Sequence, residues 1–210
     1  MLSWQLQSSG QAKSQTAYRI LVASPPSLLA EGKADFSDSG KITSSRSSQV
    51  GYEGKPLDSR QTLYWKAMVW DEAGEASPWS ETGRWTMGLL EPSDWTARWI
   101  GNREDAYPDS TLTTPAPYFR KTFRINKPVK QAKAYICGLG FYEMYLNGER
   151  VGDQVLAPAV TNFDRRPLKK MLYFFDDQSN QRVLYNTFDV TSLVQKAENT
   201  VGVLLGNGWY

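Results

Sequence analysis

The sequence contains no histidine and a single cysteine, Cys137, among its 210 residues. Without histidine, Ser-His-Asp and Cys-His catalysis, His-ligated zinc and histidine proton shuttles are excluded. A single cysteine permits neither an internal disulfide nor a multi-cysteine metal site, and its apolar surroundings predict an inert core residue. Two kinds of chemistry remain, namely cation sites built from oxygen ligands and hydrolysis by a pair of carboxylates.

Long apolar runs are also missing. No stretch approaches the roughly 20 residues of a membrane span, and the start, "MLSWQLQSSG", lacks the basic and apolar regions of a signal peptide. The formal net charge is only +2, and no Gly-Lys-Ser/Thr phosphate loop occurs. We therefore expect neither nucleic acid nor membrane as a partner.

The first half of the chain carries short strand patterns separated by turn residues, which is typical of a β-sandwich. Strands are predicted at residues 16–24, 62–70 and 82–88. In the second of these, Trp65, Ala67 and Val69 alternate with polar or flexible residues and should share one face. The tryptophans are predicted to be sandwich core more often than sugar-stacking residues.

The second half begins again with strand patterns after a segment rich in Pro, Asp, Thr and Ser at residues 89–117. Strands are predicted at residues 118–125, 132–140, 183–194 and 199–210. The pair Asn147-Gly148 within "FYEMYLNGERVG" is the strongest hairpin signal, because a type I′ turn needs positive φ at both positions. Tyr142, Met144 and Leu146 should then share a face. The sequence predicts an all-β protein of two sandwich domains, residues 1–90 and 91–210.

The most function-like polar stretch is "TNFDRRPLKK". Asn162 and Asp164 can accept and donate hydrogen bonds, and Arg165 and Arg166 can fork onto hydroxyls or a carboxylate. Together with Phe163 they have the composition of a carbohydrate site, and a solvated surface loop is the alternative. The acidic stretches at 105–109 and 176–180 could supply oxygens to calcium, although charged loops are more often only solvated.

Motifs in serial order along nearly the whole chain resemble the amino-terminal part of bacterial α-L-rhamnosidases. The first half contributes "LSWQL", "QTAYRILVAS" and "WTMGLLEPSDWTARWIG", which are similar to a fibronectin type III-like domain of that family. The second half contributes "GLGFYEMYLNGERVGD", "LAPAVTNFDRR" and "NTVGVLLGNGWY", which resemble the rhamnosidase N-terminal jelly-roll domain.

The resemblance implies a non-catalytic accessory region of an inverting glycoside hydrolase that releases terminal α-L-rhamnose. Its catalytic Asp and Glu would lie in an (α/α)6 barrel beyond this chain, so the jelly roll is expected to be incomplete at residue 210. Partners would be that catalytic domain and rhamnose-containing glycans, in the bacterial cytoplasm or periplasm. A related module binds rhamnose with calcium at a turn matching Asn162, Asp164, Arg165 and Arg166; no other cofactor is implied.

Two alternatives belong to other functional classes. A free-standing carbohydrate-binding module, with or without calcium, would show saturable sugar binding of its own. A structural pair of sandwiches with protein partners is the third reading, and the family resemblance favours it least.

Overall fold

The computed structural model describes residues 1–8, 10, 13–101, 116–159 and 183–206. Within these ranges the regular structure consists of β-strands and two short 3-10 helices, Pro26–Leu28 and Pro92–Asp94. Neither of these helices has the length and apolar character needed to cross a membrane. The predicted all-β class is confirmed. The chain divides into two compact units, Met1–Arg98 and Trp99–Tyr210.

The first unit contains one antiparallel sheet centred on its first strand. The strands are β1 (Gln15–Ala23), β2 (Ser37–Asp38), β3 (Ile42–Thr43), β4 (Thr62–Asp71) and β5 (Gly83–Thr86). Their order is β2-β1-β4-β5, and β3 also pairs with β1. The predicted strands at 16–24, 62–70 and 82–88 correspond to β1, β4 and β5, so the period-2 pattern identified the strands that build this sheet.

Strand β1 is buried on both faces. Successive side chains of a strand point to opposite sides, and Leu21 and Val22 are 0% and 1% exposed. On the Val22 side the core includes Leu2 and Val50, whose backbones form an isolated antiparallel bridge. On the Leu21 side a smaller cluster includes Leu29. Apolar clusters therefore cover both faces of the sheet.

The predicted division of β4 into two faces is confirmed. Trp65, Ala67 and Val69 all belong to the core that β1 faces with Val22. On the opposite side, the Lys66 ammonium lies 4.8 Å from the ring centre of Trp79, a cation–π contact. Several tryptophans therefore pack in or beside cores, as the strand pattern predicted.

The second unit has a four-stranded antiparallel sheet and a two-stranded ladder. The strands are β6 (Tyr118–Ile125), β7 (Lys133–Ile136), β8 (Phe141–Leu146), β9 (Glu149–Arg150), β10 (Asn186–Asp189) and β11 (Ala197–Gly206). The sheet order is β6-β11-β8-β9, and β10 pairs with β7. Tyr142, Met144 and Leu146 of β8 are buried in a core that also receives Ala134 of β7 and Phe188 of β10. The two ladders thus enclose one core, and the jelly-roll assignment stays a prediction.

Strands β7 and β10 are shorter than the predicted 132–140 and 183–194. Strand β10 ends where the Asp189 carboxylate accepts the N–H of Thr191, at 3.0 Å. The carbonyl of Val190 then accepts the N–H of Leu193, also at 3.0 Å, and closes a turn. The apolar residues beyond Asp189 are buried by this turn and not by strand pairing, which is why the apolar pattern overestimated the strand.

The β8–β9 hairpin turns at Asn147 and Gly148, with φ of 53° and 88°, as the Asn-Gly signal predicted. The Asn147 side chain also reaches the neighbouring strand. Its Oδ1 accepts the N–H of Thr200 at 2.8 Å, and its Nδ2 donates to Oδ1 of Asn199 at 2.9 Å. The turn is therefore fastened to β11 by side-chain hydrogen bonds as well as by the sheet.

Asn199 is a buried polar side chain, 1% exposed, near the start of β11. Besides Asn147, its Oδ1 accepts the N–H of Gln195 at 2.9 Å. Its Nδ2 donates to the carbonyl oxygens of Gln195 and Ala197, at 2.8 and 3.2 Å. Breaking these bonds would leave a buried carboxamide unpaired, which costs free energy. The Asn199 side chain therefore stabilises the turn before β11.

Candidate functional site

The four predicted sugar-binding residues, Asn162, Asp164, Arg165 and Arg166, lie outside the described residues. The two candidate calcium loops at 105–109 and 176–180 also lie outside them. The sugar and calcium sites therefore stay predictions. What the structure describes is the segment that leads to Asn162 and the side chains around it.

That segment is anchored on β8. The Tyr142 N–H donates to the carbonyl of Ala157 at 2.8 Å, and the two residues form an isolated antiparallel bridge. Ala157 and Pro158 are buried, and Tyr142 is 6% exposed. The backbone is thus hydrogen-bonded to the sheet at Ala157, five residues before Asn162.

A chain of side-chain hydrogen bonds runs outward from this anchor. The Tyr142 hydroxyl donates to Oδ1 of Asn186 at 2.7 Å, and Nδ2 of Asn186 donates to Oε1 of Gln154 at 2.8 Å. Burial, with a smaller contribution from Cys137, raises the pKa of Tyr142 to about 12. The phenol therefore stays neutral at physiological pH and serves as a donor that orients the two amides.

A second set of interacting polar side chains lies on the other face of β8. Arg150 Nη2 is 3.2 Å from a carboxylate oxygen of Glu143, and it also donates to the backbone carbonyl of Gln154 at 2.7 Å. The Tyr145 hydroxyl donates to Glu143 at 2.7 Å, and this hydrogen bond raises the pKa of Tyr145. The ion pair is about 40% exposed, so its contribution to stability is small. Its effect is to fix the tyrosine ring.

The first group was missed in the sequence, because Gln154 and Asn186 lie more than thirty residues apart and meet only through long-range folding. The second group lies within the β8–β9 hairpin and was missed although its residues are close in sequence. A pattern-based signal existed only for Tyr142, as a core position. Among the described residues, no cluster of three or more His, Cys, Asp or Glu side chains could hold a metal ion. Cys137 donates to the carbonyl of Leu184 at 3.2 Å, and burial raises the pKa of its thiol.

The first unit has a shallow groove of about 200 Å³ beside the end of β4. Its polar lining is already committed to other contacts. Lys13 pairs with Asp71 at 2.6 Å, and the buried Gln15 carboxamide binds the Trp4 indole N–H and two backbone carbonyls. Ligand pockets are usually larger, about 300–1,000 Å³, and contain free converging polar groups. This groove is better explained as the edge of the sandwich.

Two family models match the chain. The model described as "Rha78A-like, N-terminal immunoglobulin domain" matches residues 1–91. The model described as "Alpha-L-rhamnosidase N-terminal domain" matches residues 127–174 and 175–210. Immunoglobulin and fibronectin type III domains share the sandwich architecture, so the first match agrees with the fold expected from the sequence.

Similar proteins are α-L-rhamnosidases several times longer than this chain. One from Formosa agariphila is 40% identical over 227 residues, covering 100% of this chain and 22% of its own length. The solved structure of α-L-rhamnosidase from Dictyoglumus thermophilum is 35% identical with a TM-score of 0.83, covering 99% of this chain and 23% of that one. The Aspergillus terreus enzyme is 28% identical with a TM-score of 0.75, covering 99% and 21%. The chain spans about a fifth of the length of its relatives.

Proposed function

Since this chain belongs to the α-L-rhamnosidases, as part of their amino-terminal region, we propose that it is a non-catalytic accessory region of such an enzyme. The observation that carries the proposal is the structural match. Nearly all of the chain, 99%, superimposes on 23% of a rhamnosidase of known structure with a TM-score of 0.83. The two sandwiches would support a catalytic domain in the same polypeptide.

In this proposal the chemistry belongs to residues beyond this chain. Release of terminal α-L-rhamnose with inversion needs one carboxylic acid to protonate the leaving oxygen and one carboxylate to activate water. The contribution of the described residues is rigidity. The doubly buried β1 and the fastened Asn147 turn give each sandwich a fixed surface on which another domain can rest.

The test is turnover of an aryl α-L-rhamnoside by the 210-residue chain. We expect no release of the aryl group above the uncatalysed rate. The full-length Dictyoglumus thermophilum enzyme serves as the positive control under the same conditions. Saturable turnover by the pure chain would overturn the proposal.

A second candidate function is carbohydrate contact by Asn162, Asp164, Arg165 and Arg166, with calcium bound by the side-chain oxygen atoms of Asn162 and Asp164. It is favoured by the side chains of this stretch, because amide and carboxylate oxygens are ligands that calcium accepts and guanidinium groups donate hydrogen bonds to hydroxyl groups. Rhamnose-containing glycans would be the ligands.

Calorimetric titration of the chain with rhamnose, with calcium or with EDTA, tests this candidate. We expect saturable heat in the presence of calcium and its loss in Asp164→Ala. The matched control is Asp153→Ala, because Asp153 is an exposed aspartate of the same unit that lies outside the predicted site. A flat titration of the unmodified chain at millimolar rhamnose with calcium would count against the site.

A further inference from the structure

Strand β6 and the segment after it carry cations without any acid. Five exposed basic residues occur within eleven positions: Arg120, Lys121, Arg124, Lys127 and Lys130. No Asp or Glu occurs between residues 110 and 142. Arg120 and Arg124 share one face of β6, Lys121 lies on the other face, and Lys127 and Lys130 follow the strand. A run of one sign concentrates positive potential that solvent only partly screens.

These cations are not neutralised within the part of the chain that the structure describes. None of the five forms an ion pair with an acidic side chain of those residues. In the register of the sheet, Arg124 lies opposite Glu198, whereas Arg120 lies opposite Gly202. Glu143 shares this face, opposite Leu204 in the register, and is paired with Arg150. Arg120 is therefore the β6 cation of this face that has no acid directly opposite it.

The same face presents an aromatic ring beside Arg120. Tyr118 is two residues from Arg120, so the two side chains share a face, and Tyr118 is 80% exposed. A Cβ added at Gly202 would have only Cβ of Tyr145 near it, at 4.0 Å. The glycine therefore leaves open space over β11, between Arg120 on one side and the fixed Tyr145 ring on the other.

We propose that this face of β6 and β11 binds an acidic polysaccharide, with an anionic group on Arg120 and a sugar ring against Tyr118. A guanidinium forks onto carboxylate or sulfate oxygens, and an aromatic face fits the apolar face of a sugar. The proposal rests on the proposed function, because it names acidic glycans as the substrate class of the parent enzyme. Edge-strand cations also discourage aggregation, yet that role gives no reason for an exposed aromatic beside them.

Binding of the 210-residue chain to polygalacturonate, followed by fluorescence anisotropy with EDTA present, tests the proposal. We expect Arg120→Gln/Arg124→Gln, which removes both cations on the Tyr118 face of β6, to weaken binding roughly fivefold, the effect of losing two exposed charge contacts. The matched control is Lys33→Gln/Arg84→Gln, which removes the same charge from exposed positions of the first unit. Binding should also weaken as salt rises from about 0.1 to about 1 M, because the screening length falls from about 10 to about 3 Å.

Three further probes separate the occupants. Dextran sulfate in place of polygalacturonate shows whether sulfate or carboxylate is preferred, and neutral dextran should not bind. Tyr118→Ser should weaken polygalacturonate binding but leave binding of polyglutamate unchanged, because a polypeptide has no sugar ring. Equal loss in the two double variants, or polyglutamate binding as tight as polygalacturonate, would overturn the proposal. Neither result would contradict the proposed accessory role, because that role is tested separately by turnover of an uncharged aryl rhamnoside.

Discussion

Replacing Asn199 by alanine should loosen the second unit and leave the first unchanged. The substitution removes four hydrogen bonds made by a side chain that is 1% exposed. At about 0.5–1 kcal/mol for each of the four bonds, the loss is about 2–4 kcal/mol. Asn147 is exposed, so its amide can regain a hydrogen bond to water, which favours the lower figure. Such a loss is a large fraction of the stability of an ordinary domain.

Hydrogen exchange read by mass spectrometry gives the cleanest measurement, because it reports each unit separately. Amides of β8 and β11 should exchange faster in Asn199→Ala by the factor that corresponds to about 2–4 kcal/mol. Amides of β1 and β4 should be unchanged. Tryptophan fluorescence is a second probe, since six of the eight tryptophans lie in residues 1–98 and so report mainly on the first unit.

The control is Asn126→Ala, an exposed asparagine in the turn after β6. Its effect should stay within about 0.5 kcal/mol, as for most surface substitutions. The reasoning is refuted if Asn199→Ala matches this control, because the buried hydrogen bonds would then contribute nothing measurable. Equal loss of protection in both units would refute it as well.

Three other predictions concern single side chains. The bidentate hydrogen bond from Arg19 lowers the pKa of Asp38 to about 2, so its stabilising contribution is present above the unfolded value of about 4 and is lost as pH falls toward 2. Urea unfolding should show a weaker acid dependence in Asp38→Asn. A methyl group at Gly83 would collide with the indole of Trp65 on β4, so Gly83→Ala should lower the free energy of unfolding by about 1–3 kcal/mol. The control is Gly51→Ala, which should have no such effect because the space around Gly51 is open. The Cys137 thiol should react with a disulfide reagent far more slowly in the folded chain than in urea, because burial raises its pKa; equal rates would contradict this.

Local pattern predicted the strands well and their partners poorly. The predicted strand at 118–125 coincides with β6, and the Asn147-Gly148 turn has the backbone angles its residues require. Pairing is different, because β11 lies between β6 and β8, and nothing in a short window specifies neighbours so distant in sequence. The bridge between Leu2 and Val50 was missed for the same reason.

The candidate sites also differ in whether a local sequence pattern indicates them. Residues 162–166 have such a pattern, an asparagine and an aspartate before two arginines, and remain a prediction. The network of Tyr142, Asn186 and Gln154 had none, because three ordinary residues become a group only after folding. The cations of β6 are visible in the sequence, but the glycine opposite Arg120 is seen only in the register of the folded sheet.

The central position of β11 also affects how the protein is made. Strands β6 and β8 leave the ribosome well before β11, the strand that joins them. At a synthesis rate of roughly 5–20 residues per second, they wait on the order of several seconds for their common partner. During that interval β6 has no partner strand and β8 has only the short β9, whereas all strands of the first sheet have already been synthesised. The sheets of the two units therefore form at separate times, and the β6-β11-β8-β9 sheet has to wait for β11.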